Sequence, residues 1–157
     1  MNALNELLDT HKWVTEEELK CITDTPEYTV EFGKTQPFGE RKGYSKVTYH
    51  YKPTSSIAKK WVNSIAFAKI YCDGIFDEQS VITELRSNHT ESDELRFLKI
   101  LASIDYDNGY GGQELFGTIV FKDGTWLERG EYDGSEWWEH RKLPTEEFLF
   151  GNNQLTI

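Results

Sequence analysis

The sequence predicts a single α+β domain spanning residues 1–157. It comprises a C-terminal antiparallel β-meander of about four strands, an N-terminal β-hairpin, a central helix and short N-terminal helices. Three observations predict it. Within Glu114 to Lys142, Asp-Gly occurs twice, at 123–124 and 133–134, each time between extended aromatic runs. Apolar residues alternate at period two from Glu27 to Tyr51. Between them, residues 55–74 carry a stripe at spacings of three and four. Two sub-regions follow, helices plus hairpin over 1–90 and the meander over 91–157.

In chain order, NALNELLD (2–9) puts Leu4, Leu7 and Leu8 at helical spacing. Thr15 with Glu18 fits a capping box, and the short helix behind it ends before Pro26. Tyr28, Val30 and Phe32 then alternate with polar residues, as do Val47, Tyr49 and Tyr51, which predicts a hairpin with one polar, basic face. In SSIAKKWVNSIAFAKIYCDG, the positions Ile57, Trp61, Ile65 and Ala68 predict the central, core-facing helix, terminated at Gly74. Asp77 to Arg86 reads as another short helix and SNHTESD as a loop. Residues 95–106 suit either period; Leu98, Ile100, Ala102, Ile104 and Tyr106 alternate, and a strand is expected there.

The two Asp-Gly pairs define the meander, because a type I′ turn needs positive φ at both central residues. With two-residue loops, Phe121 faces Trp126, Ile119 faces Glu128 and Gly117 faces Gly130. Across the second turn Gly130 faces Trp137, Glu128 faces Glu139 and Arg129 faces Trp138. One face then carries Leu115, Ile119, Phe121, Trp126, Tyr132 and Trp137, and is expected to receive the central helix. The other carries Phe116, Val120, Leu127, Trp138 and His140 with Arg129, Glu131 and Glu136. Trp137 is expected over Gly117 and Gly130, and Arg129 stacked on Trp138. Glu128 opposite Glu139 and Glu131 opposite Glu136 require compensation, by Arg129, Arg141 or solvent.

Composition bounds the function. Hydrophobic residues at 38 % and charged residues at 28 % give a globular chain. Cys21 and Cys72 form no CxxC pair and read as two reduced, buried thiols. Residues 1–13 hold no apolar run, and no stretch approaches a membrane span, so a cytoplasmic protein is expected. The net charge of -10 is uneven. Residues 1–39 hold eight acids and three bases, residues 40–70 one acid and seven bases, and residues 71–157 eighteen acids and seven bases. The basic segment interleaves Arg41, Lys42, Lys46, Lys52, Lys59 and Lys60 with Tyr44, Tyr49, Tyr51 and Trp61, a pattern that can bind single-stranded nucleic acid. The acidity of the whole chain argues against direct nucleic-acid binding.

No catalytic motif is visible. His11, His50, His89 and His140 fall in no zinc spacing. GxSxG, P-loop and GxGxxG are absent, and NGYGGQ lacks the Lys-Ser/Thr of a phosphate loop. No catalytic residue, metal or cofactor is assigned.

The block YGGQELFGTIVFKDGTWLERGEYDGSEWWEHRKLP, residues 110–144, resembles a C-terminal segment of small, uncharacterised acidic proteins of tailed bacteriophages and prophages. The resemblance implies a non-enzymatic phage accessory protein acting in the bacterial host cytoplasm. Such proteins often inhibit host defence by occupying a nucleic-acid groove, since carboxylates on a rigid scaffold compete with phosphates for Lys and Arg. An anti-CRISPR or other anti-defence inhibitor is therefore expected. Its partner is a host protein with a basic surface, and its contact residues are Glu128, Arg129, Glu131, Glu136, Trp138 and Glu139. The alternatives are a small-ligand or glycan-binding module using Trp126, Trp137 and Trp138, a hydrolase assembled from distant residues, and a virion structural or assembly protein.

Overall fold

A computed structural model describes residues 1–8, 10–35, 43–73, 80–107, 109 and 112–151. Among them the order is helix α1 (Ala3–Leu7), strand β1 (His11–Thr15), helix α2 (Glu16–Cys21), strands β2 (Tyr28–Thr35) and β3 (Tyr44–Tyr51), helix α3 (Ser56–Asn63), strands β4 (Ile65–Cys72) and β5 (Val81–Leu85), helix α4 (Glu91–Ser103), strands β6 (Leu115–Phe121), β7 (Trp126–Tyr132) and β8 (Ser135–Arg141), and helix α5 (Glu146–Phe150). They build two antiparallel sheets, β1-β3-β2 and β5-β4-β6-β7-β8. This is the α+β architecture expected.

The N-terminal elements follow their local signals. Asn2 caps α1, its side-chain oxygen accepting from the Asn5 backbone N–H at 3.1 Å. Thr15 caps α2, accepting from the Glu18 N–H at 3.2 Å and donating its hydroxyl to the Glu18 carboxylate. The hairpin pairs Tyr28 with Tyr51 and Phe32 with Val47, as the alternation required. Strand β1, which no sequence signal marked, joins the other side of β3 through His11–Thr48 and Thr15–Tyr44.

The expected central helix is corrected to half a helix and a strand. α3 ends at Asn63, capped by Ser64, and residues 65–72 become β4. β4 lies between β5 and β6 and has ladder partners on both sides. Ile65 and Ala68 both point inward although three residues apart, because a bulge between Ile65 and Phe67 shifts the alternation. That shift made a strand look helical. The expected helix at 77–86 is corrected too: Val81–Leu85 is β5, and residues 77–79, like the expected terminator Gly74, lie outside the described residues.

The strand expected at 95–106 is helix α4, which also takes up the end of the expected loop. Its start is a capping box. The Thr90 hydroxyl accepts from the Asp93 N–H at 3.3 Å, and the Asp93 carboxylate accepts from the Thr90 N–H at 2.9 Å. That backbone bond, followed by the Thr90 hydroxyl, holds the Asp93 carboxyl below the usual carboxylate range. Phe97, Leu98 and Leu101 are buried at helical spacing.

The meander has three strands, and the sheet is completed by β4 and β5 from the middle of the chain. The second Asp-Gly turn is as predicted. Asp133 and Gly134 both take positive φ, 50° and 85°, and β8 pairs with β7 in the expected register, Gly130 with Trp137 and Glu128 with Glu139. The first turn differs. The Gly124 N–H donates to the Phe121 carbonyl at 3.0 Å and the Phe121 N–H to the Thr125 carbonyl at 2.9 Å, so three residues form the loop. Only Gly124 takes positive φ there. The Asp123 carboxylate accepts from the Thr125 N–H and hydroxyl, which fixes this turn with a bulge. The extra residue slips β6 by one position against β7, giving Ile119–Leu127 and Thr118–Glu128.

A one-residue slip exchanges the faces of a strand. The inward face therefore combines Leu115 and Ile119 with Leu127, Arg129, Glu136 and Trp138, while Phe116, Trp126, Tyr132 and Trp137 face outward. The expectation that Trp126, Tyr132 and Trp137 would lie under a helix is corrected. Helices α1, α3 and α4 pack together in one core with the inward face, around Phe97, Leu4, Ile65 and Ile70. Cys72 joins this core, but Cys21, at the end of the wholly unburied α2, is exposed. No helix among the described residues is long and apolar enough to cross a membrane.

Candidate functional site

Of the six residues expected to touch a partner, three point into the molecule. The Arg129 side chain is 2 % exposed and that of Glu136 0 %. Arg129 donates from Nη2 to Glu136 Oε1 at 2.6 Å and to the Tyr106 hydroxyl at 3.0 Å, from Nη1 to Glu6 Oε2 at 3.3 Å, and from Nε to the Leu115 carbonyl at 3.2 Å. Its guanidinium lies 4.9 Å from the half-buried Trp138 ring, the stacking the sequence predicted, but inside the protein. Glu136 also accepts from the backbone N–H groups of Glu114 and Leu115, at 2.8 and 2.9 Å. Arg129 and Glu136 are therefore corrected from contact residues to an internal ion pair. The opposition of Glu131 and Glu136 is relieved by turning Glu136 inward, while Glu131 accepts from the Gly134 N–H at 3.1 Å.

The same cluster fixes two protonation states. Burial pulls the Arg129 guanidinium down, but the hydrogen bond to Glu136 and the charges around it outweigh this and hold it above its usual value. Burial, and then the Glu6 carboxylate to which it donates, push the Tyr106 phenol well above its ordinary 10.0. The fold therefore favours the neutral phenol. That contribution is complete below the unfolded value and is lost as pH rises above it. In urea denaturation between about pH 9 and about pH 11, wild type is expected to lose more stability than Tyr106→Phe. Equal slopes would show that Tyr106 does not carry the alkaline dependence.

The other two carboxylates, Glu128 and Glu139, stand opposite one another on the outward face. Arg141 bridges them, with Nε 2.8 Å from Glu128 Oε1 and Nη2 on Glu139. The indole N–H of Trp137 donates to Glu139 at 3.0 Å. Arg141 thus supplies the compensation that the opposed acids require.

The outward face reads in rows across the strands. The middle row is Glu84, Lys69, Thr118, Glu128 and Glu139. On one side run Phe67, Val120, Trp126 and Arg141. On the other, Ile82, Tyr71 and Phe116 are cross-strand neighbours, and Trp137 opposes Gly130. The Tyr71 and Phe116 rings lie 6.0 Å apart. The Trp137 indole rests on Gly130, where an added Cβ would come within 2.7 Å of it. Gly117, by contrast, packs on the backbone of β4 and not under Trp137. Phe67, Ile82, Phe116, Tyr132 and Trp137 are all exposed. Glu84, Glu128 and Glu139 are matched by Lys69, Arg86 and Arg141, so the face is close to neutral. Phe67 and Tyr71 went unnoticed in the sequence because their strand was read as a helix; the alternation of IAFAKIYC beyond the bulge is the signal that marks them.

A second cluster lies on the polar face of the hairpin, in a cleft of about 910 Å³ bounded by α1. The buried Asn5 amide contacts His50 Nδ1, and His50 Nε2 lies 2.8 Å from Glu31 Oε2. With the Asn5 N–H donated to Nδ1, the ring proton sits on Nε2 and is directed to Glu31. Both ring nitrogens are engaged, leaving no lone pair for a metal or a substrate proton, so His50 is a structural hydrogen-bonder. Among the described residues no group of three or more His, Cys, Asp or Glu side chains is placed to hold a metal ion. Lys59 and Lys60 of the basic segment share a groove of about 730 Å³ with Glu91 and Glu94 of α4.

No family model, no curated protein and no solved structure matches the chain.

Proposed function

We propose that the chain is a non-enzymatic binding protein that docks a protein partner on the outward face of its five-stranded sheet. One observation carries this reading: among the described residues the helices that pack on this sheet cover its inner face, and the outer face presents aromatic rows on either side of a charge-matched row. Soluble proteins rarely leave so many large apolar groups on one surface without a use. Aromatic groups in a charge-poor setting are what a protein interface concentrates at its centre. The resemblance of residues 110–144 to phage and prophage proteins supports an accessory protein whose partner is a host protein. An anti-defence inhibitor of this kind, anti-CRISPR included, acts by covering apolar surface on its target. Phosphate mimicry loses support, because Glu136 is buried and Glu128 and Glu139 share Arg141.

Capture from a bacterial lysate tests the proposal. Wild type is expected to retain a discrete host protein from roughly 0.1 to roughly 0.5 M salt, since apolar contacts are not screened. Phe67→Ser and Phe116→Ser are expected to weaken that capture at least tenfold while leaving the unfolding midpoint nearly unchanged. Capture that ignores both substitutions, or that fades with salt, is incompatible with an apolar docking face.

The seating of Trp137 favours a second reading, a small-ligand or glycan-binding module. Its ring is held on Gly130 and is 37 % exposed, which offers an aromatic surface for a sugar or base. Trp138 points inward, so this reading keeps only Trp126 and Trp137 of the three tryptophans first considered. A shift in tryptophan fluorescence with a sugar or nucleotide, lost in Trp137→Ala, would select it.

A further inference from the structure

Helices α3 and α4 pack against each other and leave between them the groove of about 730 Å³ that Lys59 and Lys60 share with Glu91 and Glu94. Its size is that of a small-molecule site. Helical spacing builds each wall. Lys59, Val62 and Asn63 share one face of α3, and Glu91, Glu94, Leu95 and Leu98 share one face of α4. Val62 and Leu98 are buried, so the floor is apolar while the rims carry charges of opposite sign. These charges do not neutralise each other across the groove. Among the described residues Lys59, Lys60 and Glu91 make no ion pair, and Glu94 has only the His89 ring. Three carboxylates, Glu91, Asp93 and Glu94, crowd the first turn of α4, where the helix dipole offers roughly half a positive charge. Asp93 is taken by the Thr90 N–H and by Arg96; the other two line the groove.

His89 supplies an independent observation at the acidic rim. Its side chain is 8 % exposed and that of Glu94 14 %. Nε2 donates to the Ile65 carbonyl at 3.0 Å, so in the neutral ring the lone pair is on Nδ1. That atom is buried, lies 3.9 Å from Glu94 Oε1 and has no hydrogen-bond partner. Two acceptors facing each other out of solvent call for a donor that serves both. Glu94 is at once a wall of the groove and the neighbour of the ring, so a group held by its carboxylate comes within reach of Nδ1. A primary ammonium, with three N–H groups, meets that need. We infer that the groove binds a small zwitterion, an aliphatic chain with an ammonium at one end and a carboxylate at the other. The ammonium sits at Glu94 and His89 beside Glu91, the chain lies on Val62, Leu95 and Leu98, and the carboxylate meets Lys59 and Lys60. The poles stand about 8–10 Å apart, the spacing of packed helices, which a chain of about five or six carbons spans. The site is built by the helices and does not depend on the outward sheet face.

NMR titration of the isotope-labelled full chain with ε-aminocaproate, hexylamine and hexanoate tests the site. ε-Aminocaproate is expected to shift backbone amides of α3 and α4 saturably, with a dissociation constant of about 1–10 mM, as so small a ligand allows. Hexylamine and hexanoate, each lacking one pole, should bind at least tenfold more weakly. Lys59→Gln/Lys60→Gln should abolish the advantage of ε-aminocaproate over hexylamine, and Glu94→Gln its advantage over hexanoate. A chain that merely misfolds would lose both advantages together. The His89 Nδ1 resonance should move as ε-aminocaproate saturates the site, because its lone pair gains a donor. A flat titration, shifts that grow without saturating, or equal binding of the three compounds overturns the inference. So does a His89 Nδ1 resonance that stays still at saturation, or an affinity indifferent to both sets of substitutions.

Discussion

Arg129→Ala is expected to destabilise the folded chain by about 3–5 kcal/mol, which at this size lowers the thermal midpoint by roughly 6–20 °C. The reason is what it leaves behind. Glu136 keeps its two backbone donors but loses the one cation beside it, in a site without solvent. Glu6 and Tyr106 lose the guanidinium that bridges them to β7. An uncompensated buried carboxylate is far more costly than a lost surface ion pair. Glu136→Gln should recover part of the loss in the double variant, because it removes the stranded charge and keeps one acceptor oxygen for the Glu114 or the Leu115 N–H. Differential scanning calorimetry of the two single variants and the double variant measures this. A midpoint for Arg129→Ala within a few degrees of wild type would show that the cluster is solvated.

Gly117→Ala is the second large effect, at about 3 kcal/mol or more. Gly117 sits at φ 150°, and an added Cβ would lie 2.5 Å from the Lys69 carbonyl oxygen and 2.9 Å from Ile70 Cα. Both are main-chain atoms of β4, an inner strand paired on both sides, and neither can rotate aside. The β4–β6 ladder must part to admit the methyl group. Gly130→Ala is the control. Its Cβ meets only the Trp137 indole, a side chain that can swing away, so the loss should be about 1–2 kcal/mol. Urea midpoints that rank the two glycines the other way would refute this account of the β4–β6 contact.

The two glycines also show which parts of the fold were legible in the sequence. Gly130 under Trp137 follows from the Asp133-Gly134 turn, where two residues at positive φ fix the register unaided. At Asp123-Gly124 the same dipeptide closes a three-residue loop, because the Asp123 carboxylate binds Thr125. Nothing in the dipeptide itself distinguishes the two, and a single inserted residue decided which tryptophans face water. The caps at Thr15 and the β2–β3 alternation were legible because their signals are local. β4 was not: its pairing partners lie far along the chain, and its bulge imitates the helical period. α4 lost to the strand reading because Leu98, Ile100, Ala102 and Ile104 alternate, while the Thr90–Asp93 cap that settles the matter sits in what looked like a loop. The site followed suit. Arg129 and Glu136 are adjacent as expected, but the side of the sheet they occupy depended on a turn that the sequence alone left open.

Helix α1 is only five residues long, yet it is bound to both sheets by consecutive side chains. Asn5 reaches His50 on the three-stranded sheet, and Glu6 reaches Tyr106 and Arg129 toward the other. Its partners stand at positions 50, 106 and 129, so each of these contacts closes a long loop of chain. One short helix therefore ties three distant stretches of sequence together, and in limited proteolysis Asn5→Ala and Arg129→Ala are each expected to open α1 to cleavage earlier than in wild type.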